Sequence, residues 1–129
     1  MSDPLLRQLD AVTVPVPDLD QGLAFYRDQL GHELLWRNDA LEQAGLRLPE
    51  SNTELVLSAA LDYAPNWLVT SVEDAVDRLV AAGGRVISPP TPIPVGRVAV
   101  VADPFGNQLV LVDLSSGTYR TDATGRVVN

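Results

Sequence analysis

Val14-Pro15-Val16-Pro17-Asp18 runs directly into Leu19-Asp20-Gln21-Gly22-Leu23-Ala24-Phe25-Tyr26-Arg27-Asp28-Gln29-Leu30-Gly31, and this stretch decides the fold. Its front reads as the end of a Val-rich strand over residues 11–16. Pro15 and Pro17 stand two apart, so their missing N–H groups lie on one strand edge and pairing uses mainly the other. Asp18 predicts a helix cap, with Gln21 three residues on as a capping-box variant. Leu19, Leu23, Tyr26 and Leu30 recur at steps of four, three and four, which makes one apolar stripe. Gly31 supplies a left-handed stop. A second strand follows, roughly His32 to Arg37. Residues 46–48 and 54–59 then read as a hairpin around Pro49-Glu50-Ser51-Asn52.

Moving outward, the same order of signals returns. Residues 66–70 read as a strand, and Ser71 caps a helix with Asp74 three residues later. Val72, Val76 and Leu79 form its stripe, and Gly83-Gly84 ends it. Residues 85–88 read as a strand. Residues 98–101 and 108–113 flank the turn Asp103-Pro104-Phe105-Gly106-Asn107, whose Pro and Gly suit a tight hairpin. Between them Pro89-Pro90-Thr91-Pro92-Ile93-Pro94-Val95-Gly96 reads as a stiff, extended connector. A shift of 53 positions lays Asp18 on Ser71, Leu23 on Val76 and Gly31 on Gly84, and a shift of 54 lays Leu55-Val56-Leu57 on Leu109-Val110-Leu111. The reading is one α+β domain of two tandem βαβββ modules, about 8–60 and 62–114. The polar remainder, 115–129, is expected to be a C-terminal arm. Each module curls a sheet with its helix outside, so the joined sheets are expected to enclose a cleft lined by alternate strand residues.

Composition narrows the chemistry. The 129 residues are 46% hydrophobic and 20% charged, which is globular composition. There is no Cys, which excludes disulfides and thiolate nucleophiles. Every basic residue other than the single His is Arg, and the absence of Lys removes Schiff-base chemistry. A net charge of −8 disfavours nucleic acid and anionic membrane as partners. With no signal peptide and no apolar run long enough to span a bilayer, a reducing cytoplasm is the expected location.

The opening stretch, with its Phe25-Tyr26 and Leu30-Gly31, resembles the start of the vicinal-oxygen-chelate superfamily: glyoxalase I, the bleomycin-resistance proteins and the extradiol dioxygenases. Asp103-Pro104-Phe105-Gly106-Asn107-Gln108-Leu109-Val110-Leu111 is similar to its closing hairpin. The resemblance implies paired βαβββ modules, frequent homodimers and a cavity for a small ligand. It also implies where a divalent ion would be held in metal-dependent members: by His, Glu or Gln at one position seven residues before each helix cap and one in each last strand. Those positions here are Ala11, Ala64, Val56 and Val110, and none offers a lone pair. A two-residue slip in the loop before Val56 would place Glu54 or Ser58 there instead. One carboxylate still falls short of the roughly three protein ligands of a catalytic Zn²⁺ or Fe²⁺ site. His32, the single His, reads as an exposed strand-start residue.

What remains is a binding cleft. Strand parity puts Thr13, Glu54, Ser58, Asn66 and Gln108 on its wall, with Val56 and Val110 as floor. Trp36 and Tyr63 offer flat surfaces near its mouth, although core packing is the stronger reading for Trp36 and stronger still for Trp67. Arg97 is either an anion anchor at the mouth or a solvated surface residue. The expected function is binding of a small organic molecule with no cofactor and no catalytic metal. A metal-dependent glyoxalase-like lyase or ring-cleaving dioxygenase, and a non-catalytic dimeric scaffold, stand as alternatives.

Overall fold

The computed structural model describes residues 3–115, so the polar arm expected over 115–129 lies almost wholly outside the described residues. Two compact units divide the described chain: residues 11–63, and residues 3–10 together with 64–115.

The first unit holds the end of strand β1 (Gln8–Pro15), helix α1 (Leu19–Leu23), and strands β2 (Leu34–Asn38), β3 (Gln43–Leu46) and β4 (Glu54–Ser58). Strand order is β2-β3-β4-β1, with β1 parallel to β4 and the other pairs antiparallel. Asp18 caps α1 as expected, its carboxylate accepting from the Gln21 backbone N–H at 2.8 Å and from the Gln21 side chain. These bonds, backbone first, hold the Asp18 carboxyl below the usual range. Leu19 and Leu23 bury themselves against Ala44, Leu46 and Leu57, which forms the helix-side core. Beyond Leu23 the helix widens into a π-helix over Ala24–Gln29, where the Leu30 N–H reaches back five residues to the Phe25 carbonyl at 2.9 Å. That widening breaks the stripe: Tyr26 still packs on the core, but Leu30 is turned to solvent. Gly31 stops the helix with φ +86.

The second unit repeats the order with β5 (Ala64–Leu68), α2 (Val72–Ala81), β6 (Arg85–Ile93), β7 (Gly96–Ala102) and β8 (Gln108–Asp113). Its strand order is β5-β8-β7-β6, again with the first and last strands parallel. Ser71 caps α2, accepting from the Asp74 N–H. Val72, Ala75 and Val76 pack on Ala99, Val101 and Leu111, and Leu5, Leu6 and Trp67 extend this core. The turn forms as read: Gly106 has φ +90, and the Asp103 carboxylate takes the N–H groups of Phe105 and Asn107.

Several expected boundaries move. Strand β3 begins at Gln43, so the first hairpin opens earlier and its loop is longer than the reading around Pro49 to Asn52 allowed. Strand β5 begins at Ala64 rather than at residue 66. The Pro-rich stretch is not a connector. Residues 89–93 belong to β6 and pair with β7 through Thr91–Val98 and Ile93–Gly96. Three prolines are tolerated there because β6 is the last strand in its unit's order among the described residues, so one edge needs no partner from them; two register shifts absorb the lost bonds.

Candidate functional site

In each unit the helix covers one face of the strands, and the opposite face carries the positions at which the resemblance implies metal ligands. Register makes the correspondence firm. Thr13 pairs with Val56 in parallel and Gly45 faces Val56 on the other side; in the second unit Asn66 pairs with Val110 and Val100 faces it. Val56 therefore matches Val110, and Glu54 matches Gln108.

On the first unit's helix-free face Ala11, Val56 and Trp36 form one buried cluster, Trp36 being 7% exposed. Trp36 arrives there through a β-bulge. Leu34 pairs with Leu46 while Trp36 pairs with Gly45, so two steps on β2 match one on β3. Leu34 stays on the helix side, and both Leu35 and Trp36 pack on the other cluster. The indole N–H donates to Glu54 Oε1 at 2.5 Å. Gly45 is the residue that makes room: a Cβ there would stand 2.1 Å from Trp36 Nε1.

The second unit's matching cluster is Ala64, Val100 and Val110, with Val98 packed against it. It contains no aromatic side chain, and Val100 stands where the first unit has Gly45. Asn66 and Gln108 lie half-buried on this face.

The remaining expected site residues divide. Thr13 is fully buried beside Val56. Ser58 is fully buried too, and its hydroxyl accepts from the Ala60 and Leu61 N–H groups at 3.1 and 2.9 Å, fastening the turn that leaves β4. Tyr63 is 68% exposed in the link before β5. Arg97 is on the helix side: it shares parity with Ala99 and Val101, and its guanidinium pairs with Glu73 in the first turn of α2 at 3.3 Å. His32 Nδ1 lies 3.0 Å from the Arg47 carbonyl oxygen and plays no part in the cluster. Trp67 packs in the helix-side core, where its buried Nε1 has no hydrogen-bond partner among the described residues.

A metal ion does not fit these residues. Alanine and valine hold all four positions, and the first pair lies packed with an indole. Among the described residues no three His, Asp or Glu side chains lie together as a ligand set.

One polar feature was missed by sequence reasoning. Asp113, at the end of β8, is buried; its Oδ2 accepts from the Val72 N–H at the start of α2 at 2.9 Å. Its Oδ1 accepts from the Arg97 N–H at 3.0 Å and from the hydroxyl of Ser115 at 2.8 Å. Burial pushes this carboxyl up, but the bonds from Val72, Ser115 and Arg97 together outweigh burial and hold it below the usual range. The available signal was an acid closing the apolar run Leu109-Val110-Leu111-Val112, where only a paired charge is tolerated.

Among the described residues no helix is long and apolar enough to cross a membrane. No curated protein matches the chain. Solved structures do. Methylmalonyl-CoA epimerase from Mycobacterium tuberculosis is 23% identical with a TM-score of 0.69, the alignment covering 89% of this chain and 93% of that one. A Streptomyces coelicolor methylmalonyl-CoA epimerase variant in complex with 2-nitronate-propionyl-CoA is 20% identical with a TM-score of 0.68, covering 89% and 99%. A superfamily member from Vibrio splendidus 12B01 is 16% identical with a TM-score of 0.58, covering 80% and 95%. At such identities the likeness is one of fold. A family profile matches residues 8–111, and on that match the chain belongs to the Glyoxalase/Bleomycin resistance protein/Dioxygenase superfamily.

Proposed function

We propose that this protein binds a small organic molecule on the helix-free faces of its sheets and does so without a catalytic metal. The observation that supports the reading is the Trp36 indole packed with Ala11 and Val56, its N–H donated to Glu54. Beside Ala11 and Val56, the positions implied to hold an ion in metal-dependent relatives, stand an indole and the carboxylate it donates to. Such a face suits a flat, partly apolar ligand, with Glu54 as its polar contact in the first unit. The protein acts in this reading as a cytoplasmic homodimer.

Native mass spectrometry of freshly purified protein tests it, followed by thermal denaturation with a panel of small organic molecules. CoA esters join the panel because a fold neighbour is crystallised with 2-nitronate-propionyl-CoA. The expected result is no stoichiometric metal after dialysis against Zn²⁺, Ni²⁺ or Fe²⁺, a melting temperature raised by at least one class of ligand, and a mass of two chains. Stoichiometric metal with turnover abolished by chelator would overturn the reading in favour of a lyase or dioxygenase. An unresponsive panel would overturn it in favour of a scaffold.

A further inference from the structure

The seat of Trp36 has the components of a binding site whose ligand is a side chain. Its floor is apolar, from Ala11 and Val56. Gly45 leaves open the volume that a Cβ would fill, 2.1 Å from the indole nitrogen and 2.4 Å from the adjoining ring carbon Cε2. Glu54 accepts the N–H at 2.5 Å. Among the described residues, the strand that delivers the indole is last in its unit's order, paired by β3 and bulged immediately before Trp36. A bulged terminal strand releases a side chain with less loss of pairing than a central one.

We propose that Ala11, Gly45, Glu54 and Val56 form a site for planar heteroaromatic molecules bearing a ring N–H, and that Trp36 occupies it as an internal competitor. An incoming ligand replaces Trp36 ring for ring and N–H for N–H, so the polar bond to Glu54 is exchanged rather than lost. The apparent affinity of the intact protein is then reduced by the fraction of molecules with Trp36 displaced. The inference rests on the functional reading above and names the chemical class for the first unit's face.

Indole is the probe, and 1-methylindole, which fills similar space without the N–H, is the control. Calorimetry on Trp36→Ala is expected to show indole binding at least tenfold tighter than 1-methylindole, with that preference abolished in Trp36→Ala/Glu54→Ala. A second measurement keeps Trp36 in place: Trp67→Phe protein labelled with 5-fluorotryptophan reports Trp36 alone. Its ¹⁹F resonance is expected to move on indole addition and to stay put with 1-methylindole. Equal affinity for the two probes, or a resonance unmoved by millimolar indole, would overturn the proposal, and the second result holds even if Trp36→Ala fails to fold. Should indole fail while another panel member raises the melting temperature, this inference falls and the proposed function stands.

Discussion

The two units close the same position by different means. In the first, Ala11 and Val56 pack with an indole that a bulge has turned onto their face, and a glycine in β3 gives it room. In the second, Ala64 and Val110 are filled by Val100 from the neighbouring strand, with no aromatic in the cluster. The helix sides differ in the opposite sense. The second unit ties α2 to β8 and β7 through the buried Asp113 carboxylate, whereas Ala59 holds the matching place in the first. Register and element order survived the duplication, and the fillings of the two faces diverged. Such divergence is what a shared scaffold permits, because backbone pairing does not depend on which side chain plugs the face.

The largest effect expected from this comparison is at Trp36. Trp36→Ala should cost about 3–5 kcal/mol, as large aromatic truncations do, while Val110→Ala should cost about 2 kcal/mol. Urea midpoints of the two variants measure the difference, and equal costs would break the distinction between the units.

Asp113→Ala comes next. It leaves the Val72 and Arg97 N–H groups without their acceptor and should cost about 2–3 kcal/mol. The pH dependence has a definite sign. Because the folded carboxyl is held low, its contribution is present above the unfolded carboxyl range near pH ~4 and is lost as pH falls through the folded value. Melting temperature followed from pH 6 to pH 2 should therefore fall less steeply in Asp113→Ala than in the parent.

Gly45→Val imports the second unit's residue into the first. Alone it should cost about 1–3 kcal/mol, since the new side chain collides with Trp36. Combined with Trp36→Ala it should cost markedly less than the two separately, a coupling that a double-mutant cycle reads directly. Strict additivity would show that the two residues do not share the seat. The smallest effect is expected at Trp67→Phe, within about 1 kcal/mol of the parent, because the indole N–H it removes is buried without a partner.

Much of the fold was legible in the residues. Asp18 and Ser71 mark helix starts because a side-chain oxygen one position before a helix can satisfy N–H groups the helix leaves open, and both do so. Gly31 and Gly106 mark reversals because the left-handed region is nearly closed to other residues, and both take positive φ. The strand stretch Pro89-Pro90-Thr91-Pro92 misled, because proline signals the lack of a donor and carries no word on whether an unpaired edge makes that lack harmless. The stripe through Leu30 misled as well, since the π-helical turn over Ala24–Gln29 rotates everything after it.

The sequence by itself determined the duplication, the caps, the turns and the apolar character of Ala11, Val56, Ala64 and Val110. These depend on residue identity and on spacings along a few turns of chain. Tertiary structure alone decided that Trp36 crosses to the helix-free face, that Gly45 admits it, that Arg97 turns to Glu73, and that Asp113 reaches Val72. For Arg97 and Asp113 the reason is a partner distant in sequence; for Trp36 it is the two-residue period of a strand, where a single unpaired residue reverses the face of all that follow. Where that residue falls is settled by pairing with a distant strand.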